Sequence, residues 1–137
     1  MQATRPRLAT LRPILSVVDL PGTIRFYSEK LGFRVTSTFG DPVVWCELHR
    51  DGVDIMFNAP PRDRVIRDVP LKSKDYQVFY INPDDVVALH EEFRSRGVDV
   101  TDLRVTIYGM KEFEVRDPDG YWLWFGQETD EPPTVTE

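Results

Sequence analysis

The sequence predicts an α+β fold built from two βαβββ modules, and three observations lead to this prediction. The same order of elements (strand, helix, three strands) occurs twice in the 137-residue chain. Leu31-Gly32-Phe33-Arg34-Val35 matches Arg96-Gly97-Val98-Asp99-Val100 at an offset of 65 residues (96 − 31), and the turn pair Asp51-Gly52 matches Asp119-Gly120 at 68 (119 − 51). A supersecondary unit that repeats within one chain is a strong indication of fold.

The first module is predicted over residues 11–59. An apolar run from Leu11 to Val18 predicts its first strand. Asp19 then offers an N-cap, and Gly32 is placed to end a helix whose apolar residues recur at helical spacing. Three strands are predicted to follow, the last two joined by an Asp-Gly hairpin, at residues 33–39, 43–49 and 53–58.

The second module is predicted over residues 75–127, after a proline-containing linker at 59–74. Asp84 and Asp85 open its helix and Gly97 ends it. Its strands are predicted at 76–81, 98–100, 111–116 and 121–125, with Asp117-Pro118-Asp119-Gly120 forming the final turn. We therefore expect one domain, residues 9–127, followed by an acidic tail at 128–137, of which residues 129–137 are expected to be disordered.

Composition excludes several classes of function. The net charge of −6 disfavours nucleic acid as a partner and mildly favours a cationic ligand. No run of about 18 apolar residues is present, so no membrane span is predicted. The single cysteine, Cys46, rules out a disulfide within the chain, and the start of the chain lacks a secretion signal; both favour the cytoplasm.

Two motifs carry a resemblance to a known family. Asp19-Leu20, Phe26-Tyr27 and Leu31-Gly32-Phe33 resemble the signature of the vicinal-oxygen-chelate superfamily, which contains glyoxalases, bleomycin-resistance proteins and extradiol dioxygenases. Asp117-Pro118-Asp119-Gly120 resembles the hairpin near the C-terminus of that family, and the resemblance covers residues 9–127. It implies that the two modules form a curved mixed-sheet half-barrel, a cup that is usually built across a homodimer interface. The family hosts several chemistries, so the motifs indicate fold more than function.

The resemblance also bears on metal binding. Metal-dependent members take four ligands from the first and last strands of each module, typically histidine, glutamate or glutamine. Carried over residue by residue, these positions hold Arg12, Met56, Tyr76 and Trp124. None of these suits a divalent metal in such a cup. We therefore expect a metal-free, cofactor-free member of the bleomycin-resistance type, and we interpret His49 and His90 as surface histidines.

Strand alternation sorts the side chains into two faces. The helix-facing side is predicted to hold Leu15, Ile55, Phe57, Phe79, Ile81, Leu123 and Phe125. The opposite side, which would line the cup, is predicted to hold Arg12, Ile14, Ser16, Trp45, Glu47, Asp54, Met56, Tyr76, Val78, Tyr80, Glu112, Glu114, Arg116, Trp122 and Trp124. Three tryptophans on this side indicate a ligand surface, a dimer interface or additional core.

The candidate ligand-binding residues come from this side and from the loop at 106–110, which could close over the cup. They are Arg12, Trp45, Glu47, Met56, Tyr76, Tyr108, Met110, Glu112, Trp122 and Trp124. The leading hypothesis is sequestration of a hydrophobic or aromatic small molecule, including cationic ones, by stacking on tryptophan and pairing with carboxylates. The alternatives are a metal-free lyase or isomerase that uses Glu47 or Glu112 as acid or base, a glyoxalase-like enzyme with an atypical site, and a protein-interaction module. Binding is favoured over catalysis, but the sequence leaves the choice open.

Overall fold

Each half of the chain forms a four-stranded mixed sheet and one helix, in a computed structural model that describes residues 5–59 and 77–136. The first module contains β1 (Ile14–Ser16), α1 (Leu20–Arg25), β2 (Arg34–Phe39), β3 (Trp45–Arg50) and β4 (Val53–Asn58), and α1 continues into a wider π-helical turn at Phe26–Lys30. The second module contains β5 (Val78–Ile81), α2 (Val86–Ser95), β6 (Arg104–Val105), β7 (Met110–Arg116) and β8 (Trp122–Glu128). The predicted α+β architecture of two βαβββ modules is confirmed.

The two sheets have the same topology, with strand orders β1-β4-β3-β2 and β5-β8-β7-β6. In each sheet the first strand is parallel to the last, and the other neighbours are antiparallel. Ile14 pairs with Met56, and Tyr80 pairs with Trp124. Because Met56 and Trp124 are counterparts, Ile14 corresponds to Tyr80, and the counterpart of Arg12 is Val78 rather than Tyr76.

The helices begin and end as the local sequence predicts. The side chain of Asp19 accepts a hydrogen bond from the Gly22 backbone N–H (3.1 Å) and caps α1. The side chain of Asp85 does the same for α2, accepting from the Ala88 N–H (3.0 Å). Gly32 follows the first helix with φ +76°, and Gly97 follows the second with φ +78°, a conformation that glycine adopts without steric cost.

One hydrophobic core serves both modules, because the helix-facing residues of both sheets pack into a single cluster. Leu15, Ile55, Phe57, Leu123 and Phe125 are buried there, and Phe79 and Ile81 pack against it half-buried. The rings of Phe113 and Phe125 stack at 5.0 Å, and Phe93 of α2 meets both edge-on. The predicted alternation of faces is therefore confirmed for these strands.

The modules are joined by the helix of each packing against the hairpin turn of the other. The hydroxyl of Tyr27 donates to Asp117 Oδ2 (2.7 Å), and Thr23 Oγ1 donates to Asp119 Oδ2 (2.7 Å). On the opposite side, Arg50 donates two hydrogen bonds to Glu92 (2.8 and 3.0 Å). Burial raises the pKa of Asp117 to about 6, and the hydrogen bonds from Arg50 lower the pKa of Glu92.

Two predicted strands differ from the structure. The first strand is limited to Ile14–Ser16 instead of Leu11 to Val18, because Pro13 lacks an N–H and the residues before it are exposed. The strand predicted at 98–100 is reduced to one bridge between Val100 and Val115. There the hydroxyl of Thr101 accepts from the Glu114 N–H (2.8 Å), which takes the place of a regular ladder, and the regular pairing resumes at Arg104.

The tail also differs from the expectation, because it is attached. Thr134 accepts from the Val105 N–H through its hydroxyl (2.8 Å) and donates its own N–H to the Val105 carbonyl (2.9 Å). Lys111 contacts Glu131 (2.9 Å). The edge strand β6 has unpaired backbone groups, and the tail satisfies them. The expectation of a disordered tail is therefore wrong for these residues.

Most of the predicted linker and the candidate residue Tyr76 lie outside the described residues. The domain boundaries at 9 and 127 stay a prediction. Within residues 5–59 and 77–136, neither helix is long and apolar enough to cross a membrane.

Candidate functional site

The cup-lining side of the first sheet, here called the module 1 face, carries Arg12, Trp45, Glu47, His49, Asp54 and Met56. Cross-strand pairing places Glu47 beside Met56 and His49 beside Asp54. Arg12 forms an ion pair with Glu47 (2.5 Å), and Thr36 donates a hydrogen bond to the same carboxylate (3.2 Å). His49 Nδ1 lies 2.5 Å from Asp54 Oδ1. The charges of this face are therefore paired locally, since opposite charges of neighbouring strands meet.

The matching side of the second sheet, the module 2 face, carries Tyr80, Arg104, Glu112, Glu114, Trp122 and Trp124. Its two glutamates are the most deeply buried charged groups of the described residues: Glu112 is 0% and Glu114 1% exposed. Arg104 reaches both, with Nη2 at 3.0 Å from Glu112 and Nη1 at 2.6 Å from Glu114. Buried carboxyl groups require such partners, because an unpaired charge away from water is strongly unfavourable.

Two tyrosines complete the surroundings of Glu112. The hydroxyls of Tyr80 and Tyr108 both donate to this carboxylate, the latter at 3.0 and 3.1 Å. Burial and the hydrogen bond to Glu112 raise the pKa of both phenols above the usual value, so both keep their protons and act as donors. Glu112 thus accepts from three side chains, while the ring of Tyr108 stays 58% exposed at the rim.

The tryptophans lie on the two faces rather than in the centre of the core. Trp45, Trp122 and Trp124 are each half-buried. The guanidinium of Arg104 lies 5.8 Å from the ring centre of Trp124, and that of Arg116 lies 5.7 Å from the ring centre of Trp122. Cations over indole faces are favourable electrostatic contacts. Each face therefore presents indole surface next to charged groups, the usual make-up of a site for an aromatic ligand.

Comparison with known proteins now identifies the family. The sequence model described as Glyoxalase/Bleomycin resistance protein/Dioxygenase superfamily matches residues 8–125. The chain belongs to this superfamily. A comparison with curated protein sequences gives no significant match.

Solved structures of the superfamily share the fold. A bleomycin resistance determinant encoded on the transposon Tn5 superposes with a TM-score of 0.71 at 21% identity, covering 88% of this chain and 98% of that one. A glyoxalase/bleomycin resistance protein/dioxygenase from Nocardioides gives 0.70 at 16%, covering 98% and 92%. A bleomycin-binding protein from bleomycin-producing Streptomyces verticillus, complexed with copper(II)-bleomycin, gives 0.66 at 25%, covering 93% and 100%.

The metal of the metal-dependent superfamily members does not fit the residues present here. Among the described residues, no group of three or more histidine, cysteine, aspartate or glutamate side chains could hold a metal ion. Of the four positions that the resemblance assigns to ligands, the three described ones hold Arg12, Met56 and Trp124. His90 contacts the Thr101 carbonyl oxygen (2.9 Å) and the ring of Phe113 instead. We therefore derive no chemistry through a metal.

The structure brings the candidate residues together in two groups. Tyr108, Glu112 and Trp124 share one cluster around Arg104, with Trp122 two residues along the same strand. Arg12, Trp45, Glu47 and Met56 share the module 1 face. Met110 lies at the far end of β7, paired with Glu128.

Sequence reasoning missed Arg104, the residue that links the cluster. It lies in a segment interpreted as a loop, so no periodic pattern in the sequence indicated that it pairs with β7. Glu112 and Glu114 could have indicated it, because residues two positions apart on a strand lie on the same face. Two carboxylates on a half-buried face require a cation, and Arg104 is one of the basic residues near them in the sequence.

Proposed function

We propose that this protein binds a hydrophobic or aromatic small molecule, cationic ones included, in the manner of bleomycin-resistance proteins and without a metal of its own. The observation that carries the proposal is the pairing of half-buried tryptophans with buried carboxyl groups on the module 2 face. The fold likeness to bleomycin-binding proteins supports the same ligand class. Sequestration requires only affinity for the ligand, and we expect that affinity to come from stacking on the tryptophan rings and from the charged groups beside them.

The net charge of the chain favours a cation. A net charge of −6 attracts a positively charged ligand at long range. On the module 2 face, Arg104 pairs with Glu112 and Glu114, and Arg116 lies over the ring of Trp122. The indole rings beside these charged groups supply the surface on which an aromatic ligand would stack.

The acid–base alternative is less favoured at Glu112. A general base needs a free lone pair on an oxygen that can reach the substrate proton. Both oxygens of Glu112 already accept hydrogen bonds, from Tyr80, Tyr108 and Arg104. Glu47 is held by Arg12 and Thr36 at the rim, so catalysis by Glu47 stays a second prediction without a supporting observation.

A binding titration tests the proposal. Metal-free bleomycin, which has cationic and planar aromatic parts, is titrated into the protein in the presence of a chelator, with tryptophan fluorescence as the readout. We expect saturable quenching, because the three tryptophans of the chain lie on the two faces. A planar aromatic anion of similar size serves as the matched ligand control and should bind about tenfold more weakly or worse.

Two variants make the titration specific. Glu114→Gln keeps the shape of the side chain and removes its carboxyl group, so it should weaken binding of the cation and leave binding of the anion unchanged or stronger. Glu91→Gln, on the exposed side of α2, changes the net charge equally and should have little effect. Failure of bleomycin and of a panel of planar aromatic cations to bind would overturn the proposal.

We also propose that the protein forms a homodimer, as the family resemblance implies. Several large apolar side chains on the first sheet are exposed in the single chain, among them Ile14 (59%) and Phe39 (70%). Covering such side chains is a common reason for a symmetric pairing of small domains.

A further inference from the structure

The two module junctions are related by the internal repeat, yet only one of them is filled. A cavity of about 850 Å³ lies between the hairpin turn of the first module and the strand β5 and helix α2 of the second. It lies partly on the helix-facing side of the sheets, where Ile55, Phe79 and Phe125 form apolar walls. Asp54 of the module 1 face and Tyr80 of the module 2 face also line it, so the cavity adjoins the cup faces and extends behind them.

The filled junction shows what occupies the equivalent space. Tyr121 follows the Asp119-Gly120 turn, is 6% exposed, and donates its hydroxyl hydrogen to the Ser16 carbonyl on β1 (2.8 Å). Thr23 of α1 is buried beside it and bonded to the same turn. An aromatic ring with a donor at its tip therefore closes the space between turn, helix and first strand.

At the other junction the corresponding residues are smaller. Val53 follows the Asp51-Gly52 turn and is the counterpart of Tyr121 (121 − 53 = 68), while Ala88 of α2 is the counterpart of Thr23 (88 − 23 = 65). Both line the cavity. Replacing a tyrosine by a valine removes an aromatic ring, and protein interiors do not collapse fully around such a deletion. A tyrosine at position 53 would fill part of this cavity.

The charges around this cavity are predominantly negative. Four aspartates line it among the described residues: Asp51, Asp54, Asp84 and Asp85. The single described cation in the lining is Arg50, and Glu92, also in the lining, holds it with two hydrogen bonds. An apolar space with an acidic rim is complementary to a ring that carries an ammonium group.

We propose that this cavity is a second ligand site, for a small aromatic amine whose ring takes the place that Tyr121 takes at the other junction. The ring packs against Phe79, Ile81 and Leu89, and the ammonium group lies toward the aspartates of the rim. The ring position, between Phe79, Ile81 and Leu89, is separate from the tryptophans of the cup faces, so the protein would have one aromatic site on its cup faces and another between its modules.

Tryptamine and indole-3-propionate are the matched probes, because they share the indole ring and carry opposite charges. Each is titrated into isotope-labelled protein and followed by NMR. We expect tryptamine to shift the amide signals of Val53, Ile81 and Ala88, and to bind about tenfold more tightly than the acid. Equal affinities would overturn the assigned ligand class, and absence of binding by both probes would overturn the site.

Variants separate the cavity from the cup, which is itself proposed to hold aromatic cations. Val53→Tyr restores the missing ring and should raise the thermal midpoint while abolishing the shifts at Ile81 and Ala88. Val87→Tyr, exposed on α2 next to the lining residue Ala88, is the matched control and should leave them unchanged. Ala88→Leu replaces Val53→Tyr if that variant does not fold. Tryptamine shifts that survive Val53→Tyr and vanish in Trp124→Ala would assign the probe to the cup and overturn this inference.

Discussion

At the scale of single residues, Gly126 decides the shape of the module 2 face. A side chain at this position would collide with the phenol of Tyr80, which lies across β8 to reach Glu112. The missing Cβ therefore allows a hydrogen bond between residues 32 positions apart in the sequence. Glycine in the interior of a strand often marks such a close approach.

Neighbouring residues on β8 are expected to have opposite roles. Trp124 is half-buried on the cup face, and Phe125 is 3% exposed in the core. Trp124→Ala should weaken ligand binding by about 5- to 150-fold, since stacking on an aromatic contributes about 1–3 kcal/mol. Phe125→Ala should lower the free energy of unfolding by about 3–5 kcal/mol. Fluorescence titration and urea unfolding measure the two effects.

The opposite result would contradict the assignment of both faces. If Trp124→Ala unfolds the protein while Phe125→Ala has little effect on stability, the side chains of β8 have been assigned to the wrong faces of the sheet. The candidate ligand-binding residues on β8 would then lose their support. Trp124→Phe keeps an aromatic ring and should retain most of the affinity.

Asp117 is expected to make stability depend on pH. Burial raises its pKa from 3.8 to about 6, so the folded protein holds this proton more tightly than the unfolded chain. The tighter binding of this proton stabilises the folded protein fully below pH 3.8, and this stabilisation is lost as the pH rises to about 6. The change corresponds to about 3 kcal/mol. Tyr27, Tyr121 and Asp119 face this carboxyl group, and all three are present both in the wild type and in the variant described next.

Asp117→Asn isolates this contribution, because asparagine does not titrate. The free energy of unfolding of the wild type, minus that of the variant, should fall between pH 4 and pH 6 and stay constant above. Urea unfolding at several pH values measures it. A difference that stays flat or rises with pH would show that the pKa of Asp117 is not raised in the folded protein.

At the scale of elements, the edges of the two sheets differ. In the first sheet the edge strand β2 has six residues, all exposed. In the second sheet the edge strand β6 has two residues, and the tail residue Thr134 bonds to the N–H and C=O of Val105. An uncovered edge can pair with another chain, so the first sheet is the more exposed to association.

Removal of residues 129–137 should expose the β6 edge. The Val105 N–H, now bonded to the Thr134 hydroxyl, should then exchange with solvent much faster. The loss of the hydrogen bonds between the tail and Val105, and of the one from the Thr129 N–H to the Gly109 carbonyl, should lower the free energy of unfolding by about 1–3 kcal/mol. Hydrogen exchange followed by NMR and urea unfolding measure these changes. Glu131→Gln, which removes only the exposed contact to Lys111, is the control and should have no measurable effect; unchanged exchange at Val105 in the truncated chain would contradict the prediction.

The elements themselves were largely predictable. Asp19, Gly32, Asp85 and Gly97 act through their immediate neighbours, so the helix limits follow from the local sequence. The segment at 98–105 was not predictable, because the Thr101 hydroxyl takes the place of a backbone group against Glu114. This hydrogen bond joins residues that are 13 positions apart in the sequence, and no periodic pattern in the sequence predicts it.

At the scale of the whole molecule, one core unites both modules while their cup faces remain partly open. The buried hydrogen bond of Tyr27 to Asp117 and the partly buried ion pair of Arg50 with Glu92 fix the modules to each other. The same arrangement leaves Ile14, Val35 and Phe39 exposed on the first sheet. A second chain that covers these side chains would also approach the module 1 face.

Light scattering at micromolar concentration should therefore give twice the chain mass of 15.9 kDa. Phe39→Asp should shift the population toward the monomer, because it places a charge where apolar contact is expected. Glu29→Asp, on an exposed position of the first helix, should not. A wild-type mass near that of one chain would remove the dimer from the proposal.

The sequence by itself determined the repeat, the order of elements and, for the predicted strands that the structure confirms, the side of the sheet on which the residues lie. These properties follow from local periodicity and turn chemistry, which is why Leu123 and Phe125 were assigned to the core. The tertiary structure alone decided which charges meet. Arg104 between Glu112 and Glu114, and the valine at position 53 that leaves a cavity, depend on strand register and on the packing of one module against the other. Those arrangements are set by long-range contacts, and no local pattern in the sequence encodes them.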